Sequence, residues 1–141
     1  MDPLLKKMYW KEGMKIRVWN VPSELLGLIE SWKKEGLMAS VTEKADFMLA
    51  FVQSSEEVEM YFSQMHSLSP EDEAIWLAYP KGNSKRYKSI INRDNGWKYL
   101  GQFDFEGVRQ IAIDEDWSAL RFRKIKFIKT MTRKFSVKDQ K

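Results

Sequence analysis

The stretch Asp46-Phe47-Met48-Leu49-Ala50-Phe51-Val52 is a nearly continuous apolar run of strand length. A strand with one wet face alternates apolar and polar residues. A run without alternation fits a strand covered on both faces, as in a parallel sheet flanked by helices. Downstream, Ser54 and Glu57 form a capping-box pattern opening a helix whose buried face is Val58, Tyr61, Phe62 and Met65. The polar turn Pro70-Glu71-Asp72-Glu73 leads to a second apolar run, Ala74 to Tyr79, which Pro80 ends. Upstream, Lys15-Ile16-Arg17-Val18-Trp19 is a short β-branched and aromatic strand closed by Asn20-Val21-Pro22. Ser23 is then placed to cap a helix carrying Leu25, Leu26, Leu28, Ile29 and Trp32 until Gly36 stops it. Leu37 to Val41 reads as a second, weakly specified strand. Strand, helix, strand, helix, strand predicts a parallel sheet with helices on both faces. Ser84 to Gly101 is expected to hold a less regular helix bearing Ile90, Ile91, Trp97, Tyr99 and Leu100. Val108 to Ile113 reads as a strand, and Ala119 to Arg123 begins another. Their connection is too short for a crossover, so they are expected to pair as an antiparallel hairpin at one edge. The expected architecture is α/β in three layers, a mostly parallel central sheet with a C-terminal antiparallel hairpin.

The chain of 141 residues is 43% hydrophobic and 31% charged, which suits one folded domain and argues against wholesale disorder. No apolar run of membrane-spanning length occurs. Met1-Asp2-Pro3-Leu4-Leu5-Lys6-Lys7 lacks the apolar core and cleavage site of a signal peptide. With no Cys and one His, zinc–thiolate sites, thiolate nucleophiles and multi-histidine metal sites are excluded, and a reducing cytoplasm is the expected location. No metal and no cofactor are expected.

Charge is unevenly spread. Residues 121–141 hold nine Lys/Arg against the single Asp139, whereas residues 1–120 hold fifteen Lys/Arg against nineteen Asp/Glu. The expected division is therefore one domain over residues 1–123 and a basic arm over residues 124–141. In that arm Lys124, Lys126, Lys129, Arg133 and Lys134 interleave with apolar residues such as Phe127 and Ile128. Such a pattern suits stacking on single-stranded nucleic acid. It equally suits a solubilised edge strand.

In an open α/β sheet, ligands gather outside the carboxyl ends of the strands. Those ends carry Asn20, then Gln53 and Ser54, then Lys81, Gly82, Asn83, Ser84 and Lys85, and finally Asp114, Trp117 and Ser118. The loop Pro80 to Lys88, with four cations among Gly, Asn and Ser, has the composition of an anion cradle. It lacks the GxxxxGK[ST] pattern of a triphosphate loop, and no GxSxG elbow occurs. Asp114, Glu115 and Asp116 beside Trp117 and Ser118 offer a general base if one carboxyl is desolvated. The plainer alternative is a turn in which Asp114 accepts backbone N–H bonds. His66, near a helix end, is read as favouring the helix dipole rather than as a base.

Several segments together resemble a small bacterial domain family of unknown function. They are Lys15 to Pro22, Ala45-Asp46-Phe47 leading to Phe51-Val52, Trp76 to Lys81, and above all Ala112-Ile113-Asp114, Trp117-Ser118 and Leu120-Arg121-Phe122. The resemblance implies a reduced Rossmann-like sheet similar to that of S-adenosylmethionine-dependent methyltransferases, and no particular activity. Such enzymes place a glycine-rich turn after the first strand. Here that turn is Asn20-Val21-Pro22-Ser23, with no glycine and with a proline that lacks an N–H donor. The leading expectation is a non-enzymatic module binding a small anionic ligand or a protein at Asn20, Ser54, Lys81, Asn83, Ser84, Lys85, Asp114, Trp117 and Ser118. The alternatives are a divergent transferase with Asp114 as base and Lys81 neutralising charge, and nucleic-acid binding through the basic arm.

Overall fold

The three apolar runs become neighbours in one sheet. The computed structural model describes residues 2–88 and 90–128. In it β1 (Ile16–Trp19), β2 (Phe47–Phe51) and β3 (Ala74–Pro80) lie side by side and parallel. β4 (Phe105–Ala112) and β5 (Trp117–Lys124) form the expected hairpin. β5 inserts antiparallel between β3 and β4, giving the order β1-β2-β3-β5-β4. β4 thus points the same way as the first three strands, and its C-terminus reaches the same rim of the sheet.

Two apolar clusters hold the sheet between its helical layers. Every residue of β2 and β3 is buried, and successive side chains alternate between the clusters. On one face α1 (Pro3–Lys7), its cap Met8 and α2 (Leu26–Lys34) supply Leu5, Met8 and Trp32 against Leu49, Trp76 and Trp117. On the other, α3 (Ser55–Ser67) and α4 (Lys98–Gly101) supply Val58, Phe62, Met65 and Leu100 against Met48, Leu77 and Phe122. Trp32 and Trp76 are fully buried. Truncating a buried Trp to Ala in such a core costs about 3–5 kcal/mol.

α2 and α3 lie on opposite faces, and one short pairing accounts for it. Two successive right-handed crossovers in one direction across a sheet would put both helices on the same face. After α2, however, the chain passes the outer side of β1, where Met38 makes a single parallel bridge to Ile16. Ile16 N–H donates to Leu37 O and Ala39 N–H to Ile16 O, each at 2.8 Å. The Leu37–Val41 strand has shrunk to that one bridge. It still reverses the direction of winding at β1, and so sets a topological switch point between β1 and β2.

Further elements differ from the sequence reading. Ser23 does not cap a helix with its side chain: it starts a 3-10 turn, Ser23–Leu25, that precedes α2. Among the described residues of 84–101 only Lys98–Gly101 is helical, because Ile91 and Trp97 are held by tertiary burial rather than by periodicity. β4 begins at Phe105, before the apparent strand. Glu106 and Gly107 are poor strand formers, but they pair with Arg123 and Phe122, and a register shift follows between Gly107 and Arg109. At the end of the sheet Lys124 Nζ donates to Ser69 O at 2.7 Å, Ile125 N–H donates to Asp104 O at 2.8 Å, and Lys126 lies 5.1 Å from the Phe127 ring. Lys129, Arg133 and Lys134 of the basic arm lie outside the described residues. Among the described residues no helix is long and apolar enough to cross a membrane.

Candidate functional site

The parallel strand ends converge, as the topology requires. Lys81 N–H, just past β3, donates to Asp116 O in the β4–β5 turn at 2.8 Å. Asn20 and Ser54 follow β1 and β2 on the same rim. The sheet nevertheless divides these residues between its two faces, and most are occupied in holding backbone together.

At the switch point the strand ends are bonded to one another. Asn20 adopts φ 57°, a left-handed conformation that Asn tolerates better than most residues. From there its amide nitrogen donates to Phe51 O at 2.8 Å and to Glu57 Oε2 at 3.2 Å. The other Glu57 oxygen accepts from Gln53 N–H at 2.7 Å, and Ser54 Oγ accepts from Glu57 N–H at 3.2 Å as the N-cap of α3. Trp19 Nε1 bridges from β1 to Gln64 Oε1 on α3 at 3.1 Å. Asn20 and Ser54 therefore tie β1, β2 and α3 together. The turn after β1 is glycine-free, with Asn20 at its start bonded across to β2 and α3.

Asp114 is likewise a turn residue. Its Oδ1 accepts from Asp116 N–H and Trp117 N–H, both at 2.8 Å, closing the β4–β5 hairpin. Across the loop, Ser84 Oγ donates to Asp116 Oδ1 at 2.8 Å and accepts from Tyr87 N–H at 3.0 Å. Trp117 is buried between Phe51 and Tyr87, with ring centroids 5.2 and 4.9 Å away. Among the described residues no group of three His, Asp or Glu side chains is arranged to hold a metal. His66 packs against Phe62, Phe103 and Phe105, where burial, reinforced by Lys124, lowers its pKa. His66 lies in the last turn of α3, as expected, and also packs into this aromatic group.

The sequence reading missed a latch on the face of α2. Glu24, in the turn before α2, accepts from Tyr87 Oη at 2.5 Å and lies 3.5 Å from Trp117 Nε1. Arg86 Nε stands 3.9 Å from Glu24 and 3.7 Å from Asp116. Burial alone would raise the Glu24 carboxyl. The hydrogen bonds from Tyr87 and Trp117, with the nearby Arg86 charge, outweigh it and hold the group below the usual carboxylate value. Tyr87, by burial and then by its bond to Glu24, is pushed up to about 12. Nothing local in the sequence marks this pair, whose members are 63 positions apart.

The other face of the same rim is open. A groove of about 600 Å³ runs between the end of β3, the hairpin and the turn 92–95. Tyr79, Lys81, Gly82, Gln110 and Ser118 line one side, with Asn92, Arg93, Asp94 and Asn95 on the other. Buried Trp97 fixes the second wall by donating from Nε1 to Asn92 O at 2.7 Å, while Asn92 Oδ1 accepts from Asp94 N–H at 2.9 Å. Gly96 completes the turn at φ 109°, and a Cβ there would collide with the Ile91 side chain. Arg93 pairs with Asp94 at 3.4 Å. The Lys81 ammonium has no carboxylate within ion-pair distance among the described residues, so the groove carries a net positive charge. Of the expected site residues, Lys81 and Ser118 line this groove. Asn83 and Lys85 are exposed on the adjoining loop.

No family model and no curated protein matches the chain. Solved structures match it in fold. A SAM-dependent methyltransferase from Aquifex aeolicus aligns over 86% of this chain and 88% of its own, at 12% identity and TM-score 0.52. The fold is Rossmann-like. A protein in the NADB-Rossmann superfamily from Streptococcus agalactiae aligns over 79% of this chain at 12% identity and TM-score 0.45, and this chain spans about half (51%) of its length. A chain of a fibrillarin/Nop5p complex aligns over 79% of this chain and 61% of its own, at 12% identity and TM-score 0.42.

Proposed function

We propose that this chain is a binding module for a small anionic ligand, held in the groove between β3, the β4–β5 hairpin and the turn 92–95. The observation that carries this reading is the joint state of the two rim sites: the strand ends at the switch point are bonded to one another through Asn20, while the groove presents Lys81, Arg93 and several amide and hydroxyl groups. Lys81 supplies charge without a competing carboxylate. Ser118, Gln110, Asn92 and Asn95 supply directional donors, and Tyr79 gives the floor an aromatic edge. Asp114 accepts two backbone N–H bonds, which speaks against its use as a general base and for binding over transfer chemistry.

Thermal unfolding against a panel of phosphorylated metabolites, nucleotides and S-adenosylmethionine tests the proposal. A ligand at a hundred times its Kd stabilises by about 2.7 kcal/mol. Stabilisation by a phosphorylated compound, abolished in Lys81→Ala, is the expected result. No stabilisation by any member, or stabilisation by S-adenosylmethionine that survives Lys81→Ala, overturns it. The second outcome would restore the methyltransferase-like alternative.

A further inference from the structure

We propose that the opposite face of the sheet carries a separate oxyanion site, built on Arg121 of β5 and the indole N–H of Trp76 on β3. Trp76 and Arg121 are direct cross-strand partners, so their side chains leave the sheet on the same side, the one that bears α1 and α2. Trp76 is fully buried and its Nε1 has no hydrogen-bond partner; Arg121 Nε is likewise buried and unpartnered. The two orphaned donors thus belong to directly paired residues of adjacent strands. A buried donor without an acceptor costs about 1–3 kcal/mol, so such a pair calls for an acceptor between them.

The surrounding charge selects the kind of acceptor. Arg109 of β4 sits directly opposite Arg121, a like-charge pair that is destabilising without a counterion. Arg123, two positions along β5, faces the same way. Arg109 rests on the Tyr9 ring at 4.2 Å. Arg123 takes both oxygens of Asp72, with contacts of 2.6 to 3.1 Å. Glu106, opposite Arg123, is buried with Oε1 accepting from Gly107 N–H at 3.2 Å. Arg121 itself makes no ion pair among the described residues. Burial, partly offset by the charge of Asp72, pushes its guanidinium below the usual arginine value. It stays cationic across the physiological range. Three guanidinium groups against the two carboxylates of Asp72 and Glu106 leave one positive charge in excess, which with the indole N–H fits a small oxyanion, a phosphate or a carboxylate. Arg121 is only partly buried as a whole residue.

Inorganic phosphate and sodium acetate, each titrated at constant ionic strength with chloride as control, are the probes. The readout is the nitrogen–proton signal of the Trp76 indole, assigned by its loss in Trp76→Phe. A saturable shift with phosphate or acetate, absent with chloride, is expected, and which probe acts distinguishes the two oxyanion classes. Arg121→Gln is expected to weaken the response by about tenfold or more. Arg121→Lys serves as the second variant if Arg121→Gln does not fold. Lys81→Ala is expected to leave the response unchanged. No saturable shift with either probe, as a bridging water alone would give, overturns the proposal, and so does equal affinity in the Arg121 variants. Because the groove lies on the other face, these outcomes leave the groove reading untouched.

Discussion

At the scale of single residues, the contact between Tyr87 and Glu24 sets a pH dependence that can be read directly. The phenol of an unfolded chain ionises near pH 10. In the folded chain burial, then the Glu24 bond, raises that of Tyr87 to about 12. A raised value means that the protonated form is favoured on folding. The stabilisation is therefore complete below about pH 10 and is lost as pH rises through about 12. Glu24 works in the opposite direction. Its depressed carboxyl stabilises above the usual value near 4.3 and stops doing so as pH falls below it. A tyrosinate absorbance titration of the protein against Tyr87→Phe isolates this phenol, and we expect it near 12. In Glu24→Gln the step is expected to move toward 10. A step near 10 in the unaltered protein would show that the contact does not form in solution.

At the scale of elements, the β4–β5 hairpin shows how one residue serves a turn. Asp114→Ala leaves two turn N–H groups without their acceptor and is expected to cost about 2 kcal/mol. Asp114→Asn, which keeps the accepting oxygen, is expected to cost roughly half as much. Urea unfolding with an unchanged m-value checks both. Full stability in Asp114→Ala would make that carboxylate available for other work.

The elements that could be read from the sequence are those whose burial leaves a local pattern: the unbroken apolar runs of β2 and β3, the capping box of α3 and the hairpin. α1 leaves no such pattern, because five residues capped by Asp2 carry no periodicity. β4 was read short because Glu106 and Gly107 take their conformation from partners on β5 rather than from their own preferences. The rim, too, is legible, since parallel strands must end together, and the placement of Lys81 and Ser118 along it follows in that way. Arg93 and the turn around it were not, because Trp97 and Gly96 position that turn from within the core. The Tyr87–Glu24 contact likewise depends on chain segments that only folding brings together.

At the scale of the whole molecule, the winding reversal at β1 decides which strand ends flank the switch point. Met38 retains one bridge of an outer strand, so the switch point persists in the topology, yet there Asn20 bonds β1 to Phe51 of β2 and Glu57 of α3. The open space has moved along the rim to the groove beside the hairpin, where Lys81 and Arg93 face each other across about 600 Å³. Mapping backbone amide shifts on titration with the phosphorylated compound that most stabilises the protein tests this displacement most directly. The account predicts saturable shifts at Gly82, Gln110, Ser118 and residues 92–95, with little change at Asn20, Val52 and Gln53. Shifts centred on Asn20, Val52 and Gln53, with the groove silent, would contradict it.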